Sequence, residues 1–298
     1  MTKIETRNIV GGIVTFLAGV AVPVLAIVLL FDNYFSILKG FATAGKPAGV
    51  MMQDIHQPLF SAILMLAGVF MLVSSVGFFY QKKWAFVYGL IGSVIAIFGG
   101  WMMSMFPLMV GLTPYHFSTF FIGAIVFFTL LIYVRRAEAK VWITSFLFGM
   151  AFVMTFMNGN AALNKIMGGN QMARNMAGAQ GVPGPTAPHR AWAKMNVNDQ
   201  LMYELVQQIL WVGAFAFFVL TIAVVFRKDW VWPVALGASI IAIGAGFPVA
   251  IADTIASGET SQFLYGPVLG VIIFFALFIF KDRLWAEGKP LFKKKAKA

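Results

Sequence analysis

Eight uncharged, strongly apolar runs make up most of this 298-residue sequence. An α-helix rises about 1.5 Å per residue, so about 20 residues cross the roughly 30 Å hydrocarbon core of a bilayer. Only 11% of the residues are charged and the mean hydropathy is +0.84, whereas about a quarter of a soluble domain is charged. The sequence therefore predicts an all-α integral membrane protein with eight transmembrane helices, at about 9–31, 60–80, 84–106, 117–134, 141–157, 205–226, 231–252 and 263–280.

Lys and Arg are divided unequally between the two sides that eight spans define. The side holding both termini carries 16 basic and five acidic residues, whereas the other side carries six of each. Basic residues in short loops mark the cytoplasmic side of a membrane protein. We therefore predict that both termini are cytoplasmic, and we expect the membrane to be the plasma membrane of a prokaryote.

Two stretches of the chain resemble each other. WAFVYGLIGSVIAIFGG (84–100) returns as WVWPVALGASIIAIGAG (230–246), with seven of 17 aligned residues identical. A second pair, 123–136 and 270–283, shares seven further residues. Self-similarity of this kind indicates an internal structural repeat. We predict a parallel duplication of two tandem four-helix repeats, 1–137 and 138–285, followed by a basic tail, 286–298, that lies near anionic lipid headgroups.

The second repeat has the longer outer loop, 158–204, against 32–59 in the first. Its Gly- and Pro-rich segment 178–192 is the predicted insertion, and a short amphipathic helix is predicted just before it, at 160–176. Prolines reduce the entropy lost on ordering, and Trp and Arg are enriched at binding hot spots. We expect this segment to contact a protein partner; the alternative is a cover over the chain's own helix ends. The partner-contact residues would be Pro183, Pro185, His189, Arg190 and Trp192.

Several kinds of chemistry are excluded or disfavoured. The sequence contains no Cys, which excludes disulfides, thiolate metal sites and iron–sulfur clusters. All 33 Asp, Glu, Lys and Arg residues lie in connections or at helix ends, whereas proton pumps and many ion-coupled transporters need ionisable groups at membrane depth. No nucleotide-binding loop, hydrolase elbow or zinc-protease motif is present, so we assign no reaction and no cofactor.

Imidazole and carboxylate side chains are concentrated on the outer side of the predicted membrane. His56, His116, His189 and Asp54 are the weak candidates for metal ligands, with several Met residues in the same loops. Imidazole and thioether suit Cu(I). No Met-x-x-Met or His-x-His spacing occurs in these loops, so we predict no metal site.

Polar residues within the spans are the remaining candidates. Ser and Thr return their hydroxyls to a backbone carbonyl or bond a neighbouring helix, which makes helix packing their ordinary role. Gln207 and Gln208 are more costly to bury, and we expect one of them to face another helix or a ligand. Asp253, at the outer end of its helix, is expected at the membrane interface.

These observations favour a non-catalytic membrane subunit that anchors or scaffolds a larger complex, with the long outer loop contacting a partner. One alternative is a transporter or channel for a neutral or apolar solute at the interface between the repeats. Another is a quinone- or copper-binding subunit of a membrane oxidoreductase. The expected partners are membrane lipids and other protein subunits, and no nucleic acid.

The predicted orientation is testable by cysteine labelling, because the chain has no Cys of its own. Single cysteines at Ala179 and Ala298 would be treated in intact cells with a membrane-impermeant thiol reagent. We expect labelling at position 179 only. Labelling at 298 but not at 179 would show that the orientation is reversed.

Overall fold

The computed structural model describes residues 5–43, 47–178, 197–228, 230–257 and 260–284, and every regular element in these ranges is helical. The α-helices are α1 (Thr6–Thr43), α2 (Pro47–Phe79), α3 (Trp84–Met109), α4 (Phe117–Phe128), α5 (Ala139–Gly178), α6 (Val197–Ala223), α7 (Val231–Ser257) and α8 (Tyr265–Leu284). A π-helical segment, Thr129–Val134, continues α4, and short 3-10 segments, Val224–Phe226 and Gln262–Leu264, follow α6 and precede α8. Seven of these helices are long and apolar enough to cross a membrane, and the apolar part of α8 is shorter, Tyr265–Leu277. The predicted all-α membrane protein is confirmed at this level.

The helices extend well beyond the apolar runs on the predicted outer side. Most of the expected loop 32–59 is helical, because α1 continues to Thr43 and α2 already begins at Pro47. The separate amphipathic helix expected at 160–176 is wrong, because α5 runs without interruption to Gly178. Ala and Met recur in this part of α5, residues 158–178, and favour helix, although the same stretch contains five Asn and four Gly residues. Hydropathy therefore locates the membrane-spanning part of a helix and not its end.

Helices α1 to α4 pack as a ring, in which α1 contacts α2, α2 contacts α3, α3 contacts α4, and α4 contacts α1. Helices α5 to α8 pack in the same cyclic order. The two groups of four meet where α2 and α3 contact α5, and where α3 contacts α6. We call this contact the seam.

Glycines allow close helix contacts at matching positions in the two groups. A Cβ atom at Gly123 in α4 would lie 2.9 Å from the carbonyl oxygen of Ser93 and 2.8 Å from the backbone nitrogen of Ile97 in α3. A Cβ atom at Gly270 in α8 would lie 3.3 Å from the carbonyl oxygen of Ser239 in α7. Gly123 and Ser93 align with Gly270 and Ser239 in the sequence repeat. Thus, in each group, a glycine at an aligned position packs against a serine at an aligned position.

Hydroxyl groups connect the first two helices of each group. Ser75 Oγ in α2 donates to the carbonyl oxygen of Gly12 in α1 at 2.8 Å. Ser145 Oγ in α5 donates to the carbonyl oxygen of Thr221 in α6 at 2.5 Å. Ser75 aligns with Thr221 in the repeat, and both donors are buried. These bonds satisfy hydroxyls that would otherwise be unpaired in an apolar environment.

The close contact at Gly123 predicts a large effect of a single methyl group. Gly123→Ala places its Cβ within 3 Å of two backbone atoms, and overpacking of this kind destabilises a protein by about 1–3 kcal/mol. The matched control is Gly237→Ala in α7, where a Cβ would meet nothing within 4 Å. We expect thermal unfolding in detergent to occur at a lower temperature for Gly123→Ala and at an unchanged or slightly higher temperature for Gly237→Ala. Equal effects would contradict the close α3–α4 contact.

Candidate functional site

The predicted metal candidates within the described residues occupy separate environments. Asp54 accepts a hydrogen bond from the Tyr34 hydroxyl at 2.6 Å. His56 is buried, and its ring stacks on Phe60 with the centroids 5.7 Å apart. His116 is buried at the start of α4. No group of three potential His, Asp or Glu ligands occurs in the part of the chain that the structure describes.

The whole segment 179–196 lies outside the described residues. It contains the predicted partner-contact residues Pro183, Pro185, His189, Arg190 and Trp192. Their contact with a partner therefore stays a prediction. Of the intramembrane candidates, Gln207 is buried and Gln208 is exposed on α6. Asp253 lies in α7, near its outer end.

The outer parts of α1 and α2, residues 32–43 and 47–59, form what we call the outer hairpin. The 38 residues of α1 span about 57 Å, nearly twice the roughly 30 Å hydrocarbon thickness. The bond between Tyr34 and Asp54 links the two helices and places these two positions at the same height. Phe35 adjoins this bond on α1 and is 76% exposed, while Ile55 adjoins it on α2 and is 54% exposed.

Aromatic side chains fill the seam. The Phe98 ring of α3 lies 4.5 Å from Phe152 and 4.9 Å from Phe156 of α5, measured between centroids. Phe60 of α2 lies 6.3 Å from Phe156. On the other side, Trp211 of α6 stacks on Phe156, with the ring centroids 5.5 Å apart and the planes at 8°. We call these five residues the aromatic seam cluster, and such contacts contribute about 0.5–1.5 kcal/mol each beyond area burial.

A cavity of about 20 Å³ lies in the seam, on the side of these rings that faces away from the outer hairpin. Its volume corresponds to about one water molecule. The Thr221 hydroxyl lines it but already donates to the carbonyl oxygen of Phe217 at 2.8 Å. The other lining residues are glycine or apolar: Val94, Ile97, Phe127, Phe146, Gly149, Met150, Phe152 and Val153. This cavity is too small and too apolar to hold a solute.

Several buried amide and hydroxyl groups on α2 and α5, two helices that meet in the seam, have no hydrogen-bond partners. On α2, Gln53, Gln57 and Ser61 recur every four residues and are 0%, 1% and 4% exposed. On α5, Asn160 is 6% exposed. Neither amide atom of Gln53, Gln57 or Asn160, nor the Ser61 hydroxyl, has a hydrogen-bond partner in the structure. We call these four residues the polar seam cluster.

Unpaired groups of this kind are costly and rare in proteins. Each buried polar group without a partner disfavours folding by about 1–3 kcal/mol. A neighbouring amide on the same helix shows the ordinary arrangement, because Asn158 Nδ2 donates to the carbonyl oxygen of Phe263 at 2.7 Å. The polar seam cluster therefore calls for an explanation that Asn158 does not need. Sequence reasoning recognised the polar character of the start of α2 but missed the four-residue spacing of Gln53, Gln57 and Ser61.

Charged residues at the helix ends that lie away from the outer hairpin form a small ion-pair network. Arg227 Nη2 lies 2.9 Å from Glu138 Oε1, and Lys140 Nζ lies 3.2 Å from Glu138 Oε2. The hydrogen bond from Lys140 lowers the pKa of Glu138; burial opposes this, and the hydrogen bond and charge of Arg227 add to the lowering. The network connects the α4–α5 turn to the end of α6. Because Glu138 is exposed, the network contributes little to stability.

Comparisons with protein-family models, with curated proteins and with solved structures give no match for this chain.

Burial of His116 predicts a pH-dependent stability. Desolvation lowers the pKa of His116 from 6.5 to about 4, so between these values the unfolded chain binds more protons than the folded one. Stability should therefore fall as the pH drops below about 6.5, by about 2 kcal/mol between pH 7 and pH 5. Thermal unfolding in detergent at both pH values, compared with His116→Gln, measures this contribution. If the variant loses as much stability as the wild type on acidification, His116 is not responsible.

Proposed function

We propose that this chain is a non-catalytic subunit that anchors a larger membrane complex, and that its outer hairpin contacts another subunit. The observation that carries the proposal is the exposure of large apolar side chains at the end of the apolar run 9–31 of α1 and beyond it. Phe31 and Phe35, one helical turn apart, are both 76% exposed. Asp32 and Lys39 lie on the same part of the helix, which is the level of the headgroups or beyond.

Exposure of apolar side chains at a polar level has an energetic consequence. Covering one Phe or Ile side chain contributes about 1.5–3 kcal/mol when it is fully removed from water. Lipid tails supply this cover for side chains at the membrane centre but not for those beside charged residues. A protein partner would supply it for Phe35 and Ile55, and exposed aromatic residues are enriched at interface hot spots.

The two groups of four helices support the further proposal of a tandem duplication. The same cyclic packing order supports it, and so do the matching contacts of Gly123 and Gly270, which connect positions that align in sequence. Both halves would have their odd-numbered helices pointing the same way, so a rotation about the membrane normal would relate them. With the basic residues on the cytoplasmic side, the outer hairpin and the segment 179–196 would face the same exoplasmic partner.

A transporter for a neutral solute is the less favoured candidate. Alternating access requires two halves that move against each other. The seam is instead occupied by the aromatic seam cluster and by a bond from Trp101 Nε1 to Met157 Sδ at 2.9 Å. These contacts favour a subunit whose halves stay together.

The partner contact is testable with a double substitution on the outer hairpin. Phe35→Ala with Ile55→Ala removes exposed side chains, so the fold is retained, and we expect at least a tenfold weaker association because each hot-spot truncation costs more than about 1 kcal/mol. The measurement is the native mass of the complex in mild detergent, with quantitative mass spectrometry of its subunits.

Phe121→Ala with Ile125→Ala is the matched control, because these residues are 59% and 62% exposed one turn apart on α4, within a membrane span. The control should retain the complex. Loss of the partner from both variants would indicate a general effect of destabilisation, and a wild-type protein that migrates as the 32.7 kDa monomer would contradict the proposal.

A further inference from the structure

We propose that the polar seam cluster binds the head of a lipid-soluble, uncharged molecule that carries carbonyl or hydroxyl oxygens, the chemistry of a quinone or quinol. The site would lie between α2, α5 and α6, in the outer half of the membrane. This inference goes beyond the anchoring function and does not depend on it.

Helix geometry places the unpaired amides at one height. The rings of Phe60 and Phe156 are in contact, with centroids 6.3 Å apart, and fix where α2 meets α5. Consecutive spans run in opposite directions, so α2 and α5 are antiparallel. Gln57 precedes Phe60 by three residues and Asn160 follows Phe156 by four, which puts both about one helical turn to the outer side of the ring contact. Gln53 lies one further turn outward on the same face.

The groups present both donors and acceptors. Each amide offers one acceptor oxygen and two N–H donors, and Ser61 adds a hydroxyl. Trp211 Nε1, whose indole stacks on Phe156, is a further buried donor without a partner. Five side chains on the three helices α2, α5 and α6 thus have buried hydrogen-bonding groups without a partner. A ligand with only one polar atom would leave most of them unpaired.

The surroundings select a flat, uncharged ligand head. The rings of Phe60 and Phe156 lie about one helical turn to the cytoplasmic side of Gln57 and Asn160, and Trp211 stacks on Phe156. Asp54, the acidic residue nearest in sequence on α2, is bonded to Tyr34 on the outer hairpin. A charged ligand would therefore lack a counter-ion from this part of α2, and its desolvation would be costly. A quinone-type head matches the available donors, while its apolar tail would extend between the helices into lipid.

Water is the competing occupant. A buried water molecule makes two to four hydrogen bonds to polar groups of this kind. Water and an oxygen-bearing ligand head use the same donors and acceptors. They differ in the apolar part, because only the ligand would gain from the neighbouring aromatic surface.

The experiment measures binding of decylubiquinone and decylubiquinol to the purified full-length protein in detergent. The readouts are quenching of tryptophan fluorescence, to which Trp211 contributes, and the shift of the unfolding temperature. Decanol, which has the same tail length and no quinone head, is the probe control. We expect saturable binding of the quinone or quinol at least tenfold tighter than that of decanol. Binding no tighter than that of decanol would overturn the proposal and leave water as the occupant.

Substitutions on α5 provide the matched variants. Asn160→Leu removes an unpaired amide, so it should raise the unfolding temperature of the ligand-free protein and weaken quinone binding at least fivefold. Asn158→Leu removes an amide that is bonded to Phe263, so it should lower the unfolding temperature and leave the binding constant of the folded fraction unchanged. Gln57→Leu should behave as Asn160→Leu does. If Asn160→Leu and Gln57→Leu bind the quinone as tightly as the wild type, the site is not formed by these amides. Loss of quinone binding with the partner retained would separate this site from the anchoring function.

Discussion

The absence of water from the hydrocarbon core is the constraint on which the rest of the structure depends. Every backbone N–H and C=O group at membrane depth must find a partner within the protein, which is why the apolar runs become helices. The same constraint acts on side chains. Buried hydroxyls meet it by returning to a backbone carbonyl, as Ser239 Oγ does to Ala235 at 2.8 Å, or by crossing to the next helix, as Ser75 does.

With the backbone satisfied, helix association depends on close packing. In an apolar solvent the hydrophobic effect does not drive helices together, so small residues and shape complementarity take its place. Gly92 shows this, because a Cβ there would lie 2.9 Å from the carbonyl oxygen of Ala67 in α2. In the seam, by contrast, large aromatic rings from α2, α3, α5 and α6 pack against one another. The two kinds of contact divide the bundle into two tightly packed rings joined by aromatic side chains.

The polar seam cluster is the clearest departure from this pattern. Three amides and a hydroxyl lack partners, whereas Asn158, two residues before Asn160 on α5, has one. Buried polar groups without hydrogen-bond partners lower the stability of a protein. In natural proteins such groups are concentrated at functional sites. The location at the contact between two four-helix groups is also typical of ligand sites in membrane proteins built from repeats.

The sequence by itself determined the class of protein, because long uncharged runs have one stable form in a bilayer. The structure showed which glycines make close helix contacts, since Gly237 and Gly244 in α7 meet nothing within 4 Å whereas Gly123 does. Only the tertiary structure decided where the helices end, since helix propensity continues past the apolar run to Thr43 in α1 and to Gly178 in α5. Likewise, only the structure distinguished Asn160 from Asn158. Both are buried amides on one helix, and what separates them is whether a neighbouring helix presents a carbonyl oxygen, a property of three-dimensional packing that local sequence does not encode.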